Sequence, residues 1–518
     1  MKKILYYMLS VILMLSVSVP VMAADPYIDS LAKADAADSI FAARTAVADL
    51  TMDQLENIYS KTENDFSKEA IIERLRYSSD KKMAAQILKY ISSNDKPKFS
   101  QLAYIDLYLM GHTDSLEGLT ESTDQFGTFR YESGSFPWTV MKAAEEKYPD
   151  SFLSKGIKEY ENITGKPYFM IDLPDPGEWL YAKTYGDGAY KPDVEITQLL
   201  DFLNKYSAHP AADDAAYRLG RNYEIRGNYP SALKYLYNSA EKLPDGDGIR
   251  YDAQGRIMYI LDAAMDADAL QYAMKSGAVP EQIKPCIEYT AAVKAARGGD
   301  YAKAAAGLKD FVKQYRGQAI YGIEVSESDS FWNNIFKQED MYDQLTDLKQ
   351  KGDVGSLYSA AALIYKNEDI FYNNIWSGER QAYMWMGHMN EVLTKESGAY
   401  KKYFLSFNNF GQALSIYQDL SNKNLTPELT EKTDYNIALC YSHLMDYSQE
   451  VTLLGLYDGY KEKAIESFKN FVAAHPDSTM ADDALYALGH IAGDDSYFSR
   501  ILKEYPNSDM AQKAANEL

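Results

Sequence analysis

The chain has 518 residues with a formal net charge of −22 at pH 7, and 46% of its residues are hydrophobic. The apolar content excludes a disordered or collagen-like chain, and the length exceeds what one core usually supports, so we expect several domains or a continuous repeat array. The negative charge would repel nucleic acid and anionic lipid headgroups. It therefore indicates either a basic partner or a role in keeping the protein soluble.

Residues 1–23 have the pattern of a secretory signal peptide. Two Lys residues precede an apolar run over residues 4–19, and Pro20 and the small residues Ala23 and Ala24 follow it. We therefore expect cleavage after one of these two Ala residues and a periplasmic or secreted mature protein without stable membrane insertion. A retained membrane anchor is the alternative, because the run approaches the length that spans a bilayer. No Cys follows the run, so a bacterial lipoprotein anchor is not expected.

The next two segments differ in their helical character. Residues 24–163 predict an N-terminal helical region, because apolar residues recur at three- and four-residue spacing in stretches such as 68–75 and 82–90. Residues 164–193 contain Pro and Gly that interrupt any helix, which predicts an ordered loop or a linker. Aromatic residues in this segment favour a loop packed on another part of the chain, and a plain domain boundary is the alternative. These residues are Trp179, Tyr181, Tyr185 and Tyr190.

Two segments of nearly the same sequence reveal an internal repeat. Residues 212–220 read ADDAAYRLG and residues 481–489 read ADDALYALG, and a His-Pro pair stands shortly before each copy. A helix ends before such a Pro, and the paired acidic residues complement the positive end of the next helix. We therefore predict repeated helix pairs in regions 194–318 and 400–518.

The spacing over residues 213–246 resembles the tetratricopeptide repeat. Gly220 and Ala232 stand where the two helices of such a unit cross closely, so a larger side chain there should separate them. Partial copies in the C-terminal region are similar to the units of periplasmic envelope proteins, including outer-membrane assembly lipoproteins, although the lipidated Cys is missing. The resemblance implies an all-α fold, an α-solenoid of antiparallel helix pairs, with peptide or protein binding on its concave face. The matching residues are Leu219, Gly220, Tyr223, Ala232, Leu236 and Pro244, then Ala464, Phe468, Leu488 and Gly489.

Region 319–399 contains an aromatic and Asn-rich motif in two copies. The first copy reads FWNNIF and the second FYNNIW. Rigid aromatic rings and amide groups that both donate and accept hydrogen bonds suggest a partner-binding surface. The alternative is that each copy is one helix of a repeat pair, with its rings in the core and its Asn residues on the solvent side or at a cap. The candidate binding residues are Phe331, Trp332, Asn333, Asn334, Phe336, Phe371, Tyr372, Asn373, Asn374 and Trp376.

The sequence lacks common signatures of catalytic and metal sites. It has no Gly-x-Ser-x-Gly, no phosphate-binding Gly-rich motif, no His-Glu-x-x-His and no Cys pair at metal-binding spacing. Residues 245–248 read DGDG but lack the later ligands of a calcium loop, so they predict a turn. Cys286 and Cys440 allow one disulfide, and two inert buried thiols are favoured. We expect no metal and no cofactor.

The function expected from these features is non-catalytic binding of a protein or peptide partner in the cell envelope. A second hypothesis is an envelope protein that binds a glycan or a small molecule through the duplicated motif. A third and less favoured one is a peptidoglycan-acting enzyme with a helical superhelix, but residues 430–518, where a compact catalytic domain would stand, are occupied by repeats. No nucleic acid partner is expected, and the oligomeric state is not predicted.

Overall fold

The part of the protein that the structure describes is built of helices joined by turns and short loops. No β-strand occurs among these residues, so the prediction of an all-α fold is confirmed for them. The predicted signal peptide, residues 166–191 of the Pro- and Gly-rich segment, and Pro244 with the predicted turn at 245–248 lie outside them. The computed structural model describes residues 26–37, 40–95, 97–115, 117, 118, 143, 146–165, 192–209, 211–242, 249–323, 328–376, 397–450 and 459–518.

The chain divides into two compact units. The first comprises the described residues within Met1–Leu173, Pro192–Leu219 and Asn238–Asp252, and the second comprises those within Gly220–Tyr237 and Ala253–Leu518. The domain boundaries expected from the sequence stay predictions. The helices of the first unit are α1 (Pro26–Asp35), α2 (Ile40–Val47), α3 (Met52–Lys61), α4 (Asp65–Arg76), α5 (Lys81–Asn94), α6 (Pro97–Leu109), α7 (Phe152–Thr164) and α8 (Pro192–Lys205).

Three helices contribute residues to both units, and twelve more described α-helices follow in the second. The three are α9 (Ala212–Ile225), α10 (Tyr229–Glu241) and α11 (Ile249–Tyr259). The others are α12 (Ala267–Lys275), α13 (Lys284–Arg297), α14 (Tyr301–Tyr315), α15 (Ser328–Lys351), α16 (Val354–Lys366), α17 (Ser397–Phe407), α18 (Asn409–Ser421), α19 (Pro427–Glu450), α20 (Tyr460–Ala474), α21 (Ala481–Ala492), α22 (Ser496–Glu504) and α23 (Asp509–Glu517). None of the helices in the described residues combines the length and the apolar character needed to cross a bilayer.

Helix α4 is central to the core of the first unit. It packs against α2, α3, α5 and α6 and buries Ile71, Ile72 and Leu75. It begins after Asn64, whose side-chain oxygen accepts a hydrogen bond from the backbone N–H of Ser67 at 3.1 Å, so a backbone donor left free by the first helical turn is satisfied. The apolar stripes seen in the sequence at 68–75 and 82–90 lie on α4 and α5 and face this core.

His209 follows the end of α8, the helix that packs against α7, and is fully buried. Its Nε2–H donates to the carbonyl oxygen of Leu153 at 2.9 Å, and its Nδ1 accepts the backbone N–H of Ala211 at 3.0 Å. These two bonds require the neutral imidazole, because a protonated ring would offer two donors. A Cβ atom added at Gly156 would lie 2.4 Å from Cδ2 of His209. The imidazole ring therefore fits against α7 because Gly156 has no side chain.

Acidification should destabilise the fold through His209. Burial lowers the pKa of His209 to about 4, whereas an unfolded chain has a His pKa of about 6.5. Below about pH 6.5, His209 therefore binds a proton in the unfolded state but stays neutral in the folded state. The free energy of unfolding falls as the pH drops towards 4. From pH 7 to pH 5 this residue should remove about 2 kcal/mol of unfolding free energy.

The comparison that isolates this effect is the wild type against His209→Gln, in urea unfolding at both pH values. The Gln side chain keeps a donor and an acceptor but does not titrate in this range. The wild type should lose more free energy on acidification than the variant, since all other titrating groups are shared. Equal losses in the two proteins would refute the assignment.

Successive helices of the second unit pack against their neighbours in chain order. This holds from α12 to α16, then for α16 with α18, and for each consecutive pair from α18 to α23. The fold of this unit therefore consists of many packed helix pairs.

The same turn precedes helices α10 and α14. Gly227 and Gly299 have positive φ angles of 71° and 78°, a left-handed backbone that favours Gly. The next residue then caps the helix: Asn228 Oδ1 accepts the N–H of Ser231 at 3.4 Å, and Asp300 Oδ1 accepts that of Lys303 at 3.1 Å. The repeated Gly-Asn/Asp-Tyr sequence thus encodes a repeated helix start.

Small residues of the repeat motif lie at close helix contacts. A Cβ atom added at Gly220 on α9 would lie 2.7 Å from Leu236 Cγ on α10, and one added at Gly489 on α21 would lie 2.4 Å from Phe498 Cε1 on α22. Tyr223 is half-buried and stacks on Tyr235 with ring centroids 5.6 Å apart. The remaining described residues of the motif are buried: Leu219, Ala232, Leu236, Ala464, Phe468 and Leu488.

Both cysteines are free and buried. Burial raises the pKa of Cys286 to about 12 and also raises that of Cys440. Neither thiol therefore supplies a thiolate near neutral pH, and the favoured prediction of two inert buried thiols is confirmed.

Candidate functional site

The first copy of the aromatic and Asn-rich motif lies on the first turns of α15. Phe331 and Trp332 are buried, and Trp332 packs against Phe311 of α14 with ring centroids 5.7 Å apart. Asn333 is exposed, and its neighbour Asn334 is half-buried. This copy has the arrangement expected of a repeat helix with its rings in the core. Phe336 is half-buried under the guanidinium of Arg316.

The second copy follows α16 and is not a helix of a repeat pair, contrary to the core interpretation of the sequence. It ends in a short 3-10 turn, Asn374–Trp376, in which Asn374 is buried, and Asn373 and Phe371 before the turn are buried as well. Tyr372 is half-buried beside Phe407. The side chain of Trp376 lies outside the described part of the structure. The duplicated motif does not present one exposed surface, since five of the nine described candidate side chains are in the core: Phe331, Trp332, Phe371, Asn373 and Asn374.

Polar groups of α13 and α15 explain why the second copy is buried. The Asn373 amide donates to Thr290 Oγ1 at 2.9 Å, and the Asn374 amide donates to the Tyr289 hydroxyl oxygen at 3.1 Å. That hydroxyl donates in turn to Gln338 Oε1 at 2.6 Å, and Gln338 Nε2 donates to the carbonyl of Tyr372 at 2.8 Å. The Asn side chains thus satisfy internal partners rather than facing solvent.

A buried ion pair lies next to this segment. Arg297 donates through Nη1 and Nη2 to the two carboxylate oxygens of Asp262 at 2.8 and 3.2 Å, and its Nε donates to the carbonyl of Phe371 at 2.8 Å. The Tyr403 hydroxyl donates to Asp262 Oδ2 at 2.8 Å, and Lys294 donates to the Asp262 carbonyl. Although burial alone would raise it, Arg297 and Lys294 hold the pKa of Asp262 below its usual range.

Sequence reasoning missed this pair, although a signal for it exists. Asp262 is the only charged residue in the apolar run 257–265, which includes the π-helix Ile260–Ala264, and Arg297 lies on the buried stripe of α13. A charge on an apolar stripe indicates a buried partner of opposite sign. Both side chains of the pair are almost fully buried, so the pair belongs to the core and offers no surface to a partner.

The exposed candidate site lies on three helices of the second unit, α16, α18 and α19. Each helix contributes two side chains seven residues apart, so both members of a pair lie on the same helix face. We call this set the aromatic ladder. Its members are Tyr358 and Tyr365 on α16, Phe410 and Tyr417 on α18, and Asn436 and His443 on α19.

The first layer of the ladder joins Tyr358, Tyr417 and Asn436. The rings of Tyr358 and Tyr417 lie 5.6 Å apart, and the Asn436 amide donates to the Tyr358 hydroxyl oxygen at 2.9 Å. Tyr358 and Asn436 are half-exposed, whereas Tyr417 is fully buried. The Tyr417 hydroxyl has no hydrogen-bond partner within the described part of the chain. Such an orphan in a native core calls for a water or ligand partner.

The second layer joins Tyr365, Phe410 and His443. Phe410 and His443 stack face to face with centroids 4.3 Å apart, and the Tyr365 hydroxyl is 2.9 Å from His443 Nε2. Tyr365 and Phe410 are half-exposed and His443 is exposed. Partial burial lowers the pKa of His443, which keeps its ring neutral at pH 7. Seven helical residues separate the layers by about 10 Å.

No family model matches the chain, and no curated protein matches it. The chemistry of the site must therefore be read from its own geometry.

The ladder offers contact surface rather than reactive groups. Its rings provide rigid apolar area, and its hydroxyl, amide and imidazole groups donate and accept hydrogen bonds. Cys440 lies one turn from His443 but is buried with a raised pKa, so it adds no nucleophile. Half-exposed rings held in place by neighbouring helices are typical of sites that bind a partner. The ladder was not predicted as a site from the sequence, because the arrangement only appears when three helices are brought together.

Proposed function

We propose that the protein is a non-catalytic binding module of the cell envelope that holds an extended peptide segment of a protein partner on the aromatic ladder. The observation that carries this proposal is the pair of ring layers, partly exposed and fixed by hydrogen bonds and ring contacts across α16, α18 and α19. Rigid rings lose little entropy on binding, so they give affinity at low cost.

The serial packing of the second unit supports a repeat architecture. Helix pairs that contact their chain neighbours, with Gly220 and Gly489 at close crossings, suit an α-solenoid of tetratricopeptide type. The layer spacing of about 10 Å is close to the rise of about 9 Å over three residues of a peptide in the polyproline II conformation. Residues three positions apart lie on the same side of such a peptide, so two of its side chains can reach both layers. Export through the signal peptide would place this module in the periplasm or outside the cell.

The test is selection of peptides from a random linear library on the full-length mature protein. We expect the selected peptides to bind the wild type and to lose about tenfold or more in affinity with His443→Ala or Phe410→Ala. His443 is exposed, so its truncation should spare the fold, and helical circular dichroism checks both variants. Tyr272→Ala is the matched control, since this ring on α12 is 66% exposed and outside the ladder.

Two outcomes would contradict the proposal. Peptides that bind the ladder variants as tightly as the wild type would show that the peptide-binding site lies outside the ladder. Cell-wall oligosaccharides whose binding requires His443 and Phe410, in the absence of ladder-dependent peptides, would instead identify a glycan-binding protein.

A further inference from the structure

The helices that carry the aromatic ladder are acidic. Residues 353–369 and 409–450, which include α16, α18 and α19, contain nine acidic side chains and three basic ones. Two of the acidic residues, Glu368 and Asp446, act on the charge state of His443 and therefore lie near the second layer. A ligand on this layer would meet a negative potential.

Within the described part of the chain, the faces of the ladder rings are not covered by a cation. Elsewhere in the second unit, Lys463 stands over Tyr460 at 4.2 Å and over Tyr441 at 5.7 Å. Among the described residues, no Lys or Arg stands over Tyr358, Tyr365 or Phe410, although a cation would be attracted to their faces. Tyr441 is only two residues from His443. A ring with a cation over it and a member of the ladder are therefore less than one helix turn apart along α19.

We propose that the ladder recognises a peptide segment carrying arginine side chains, an inference that rests on the proposed function. A guanidinium stacks flat on an aromatic face and at the same time donates to a carboxylate. The half-exposed rings supply the faces, and Glu368 and Asp446 supply the carboxylates at the second layer. The neutral His443 ring does not repel the cation. Lysine fits less well, because its compact ammonium cannot stack as a plane.

The spacing of the layers defines the probe. The peptide Gly-Arg-Gly-Gly-Arg-Gly, capped at both ends, places its two arginines three positions apart. In the polyproline II conformation both side chains then lie on the same side of the peptide, about 9 Å apart along its axis. A second peptide replaces each arginine with citrulline, which keeps the planar group and removes the charge. Titration calorimetry with the full-length mature protein compares the two peptides at low and high salt.

The wild type should bind the arginine peptide about tenfold more tightly than the citrulline peptide, and the preference should shrink at high salt. The double variant Glu368→Gln and Asp446→Asn should reduce the preference to about threefold or less. Asp419→Asn is the matched control: Asp419 is an exposed acidic residue on α18, and its loss should leave the preference unchanged.

The outcomes separate this inference from the proposed function. Ladder-dependent library peptides that show no arginine enrichment, together with equal affinity for the two probes, would overturn the arginine inference alone. Absence of any ladder-dependent peptide would overturn both proposals. An arginine preference that survives in the double variant would place the charge recognition on other residues.

Discussion

Replacing Arg297 with Met should lower the free energy of unfolding by about 3 to 5 kcal/mol. The two side chains of the pair are almost fully buried, with 3% of Arg297 and 1% of Asp262 exposed. Methionine fills much of the volume but leaves the Asp262 carboxylate in the core without its guanidinium partner. The Tyr403 hydroxyl and Lys294 remain nearby, yet neither replaces the two parallel hydrogen bonds.

Urea unfolding followed by helical circular dichroism measures this loss. Lys309→Met is the matched control, because the ion pair of Lys309 with Asp343 has the same 2.8 Å separation but is about half exposed at both ends. An exposed pair contributes little to stability, so this variant should unfold nearly as the wild type does. Equal effects of the two substitutions would contradict the role of the buried pair.

The double variant Asp262→Leu with Arg297→Met tests the physical cause. When both charges are removed, no uncompensated ion remains in the core, so most of the stability lost in the single variant should return. Some loss should persist, because Arg297 also donates to the carbonyl of Phe371. A double variant less stable than Arg297→Met alone would show that the pair is net stabilising rather than merely costly to break.

The local features of the fold were predictable from the sequence because they depend on a few adjacent residues. The turn at Gly299 and Asp300 is an example, since a left-handed Gly and a capping side chain act within four positions. The close helix contact at Gly220 followed from the repeat pattern in the same way. Helix type and helix starts are therefore local properties of this chain.

The candidate site could not be predicted because its contacts join distant residues. Tyr365 and His443 are 78 positions apart, and nothing in either sequence segment indicates the other. The environment of the duplicated motif was not predictable for the same reason. The residue types of its second copy suggest a surface, but the Asn374 amide donates in the core to the hydroxyl of Tyr289, about 85 positions away. Identical residue types thus have different roles once tertiary partners satisfy them.

Replacing Gly220 with Val should cost about 3 kcal/mol of stability, at the upper end of the range for overpacking. A Cβ at this position already lies 2.7 Å from Leu236 Cγ and 3.1 Å from the Leu236 backbone nitrogen, and valine adds two methyl groups beyond it. The side chain of Leu236 can rotate away, but its backbone nitrogen moves only if α10 moves. The better helix propensity of Val recovers only a fraction of this cost.

Gly298→Val separates helix crossing from the general effect of replacing Gly. Gly298 is exposed at the end of α13 with a φ of −82°, and its nearest contacts to an added Cβ lie at 3.5 Å. This variant should therefore lose much less stability than Gly220→Val in the same urea titration. If α9 and α10 form one tetratricopeptide-like unit, Gly220→Val should also be partly rescued by Leu236→Ala, because the smaller side chain vacates the space that Val needs. Equal losses at positions 220 and 298, with no rescue, would mean that close contact at Gly220 does not determine how these helices pack.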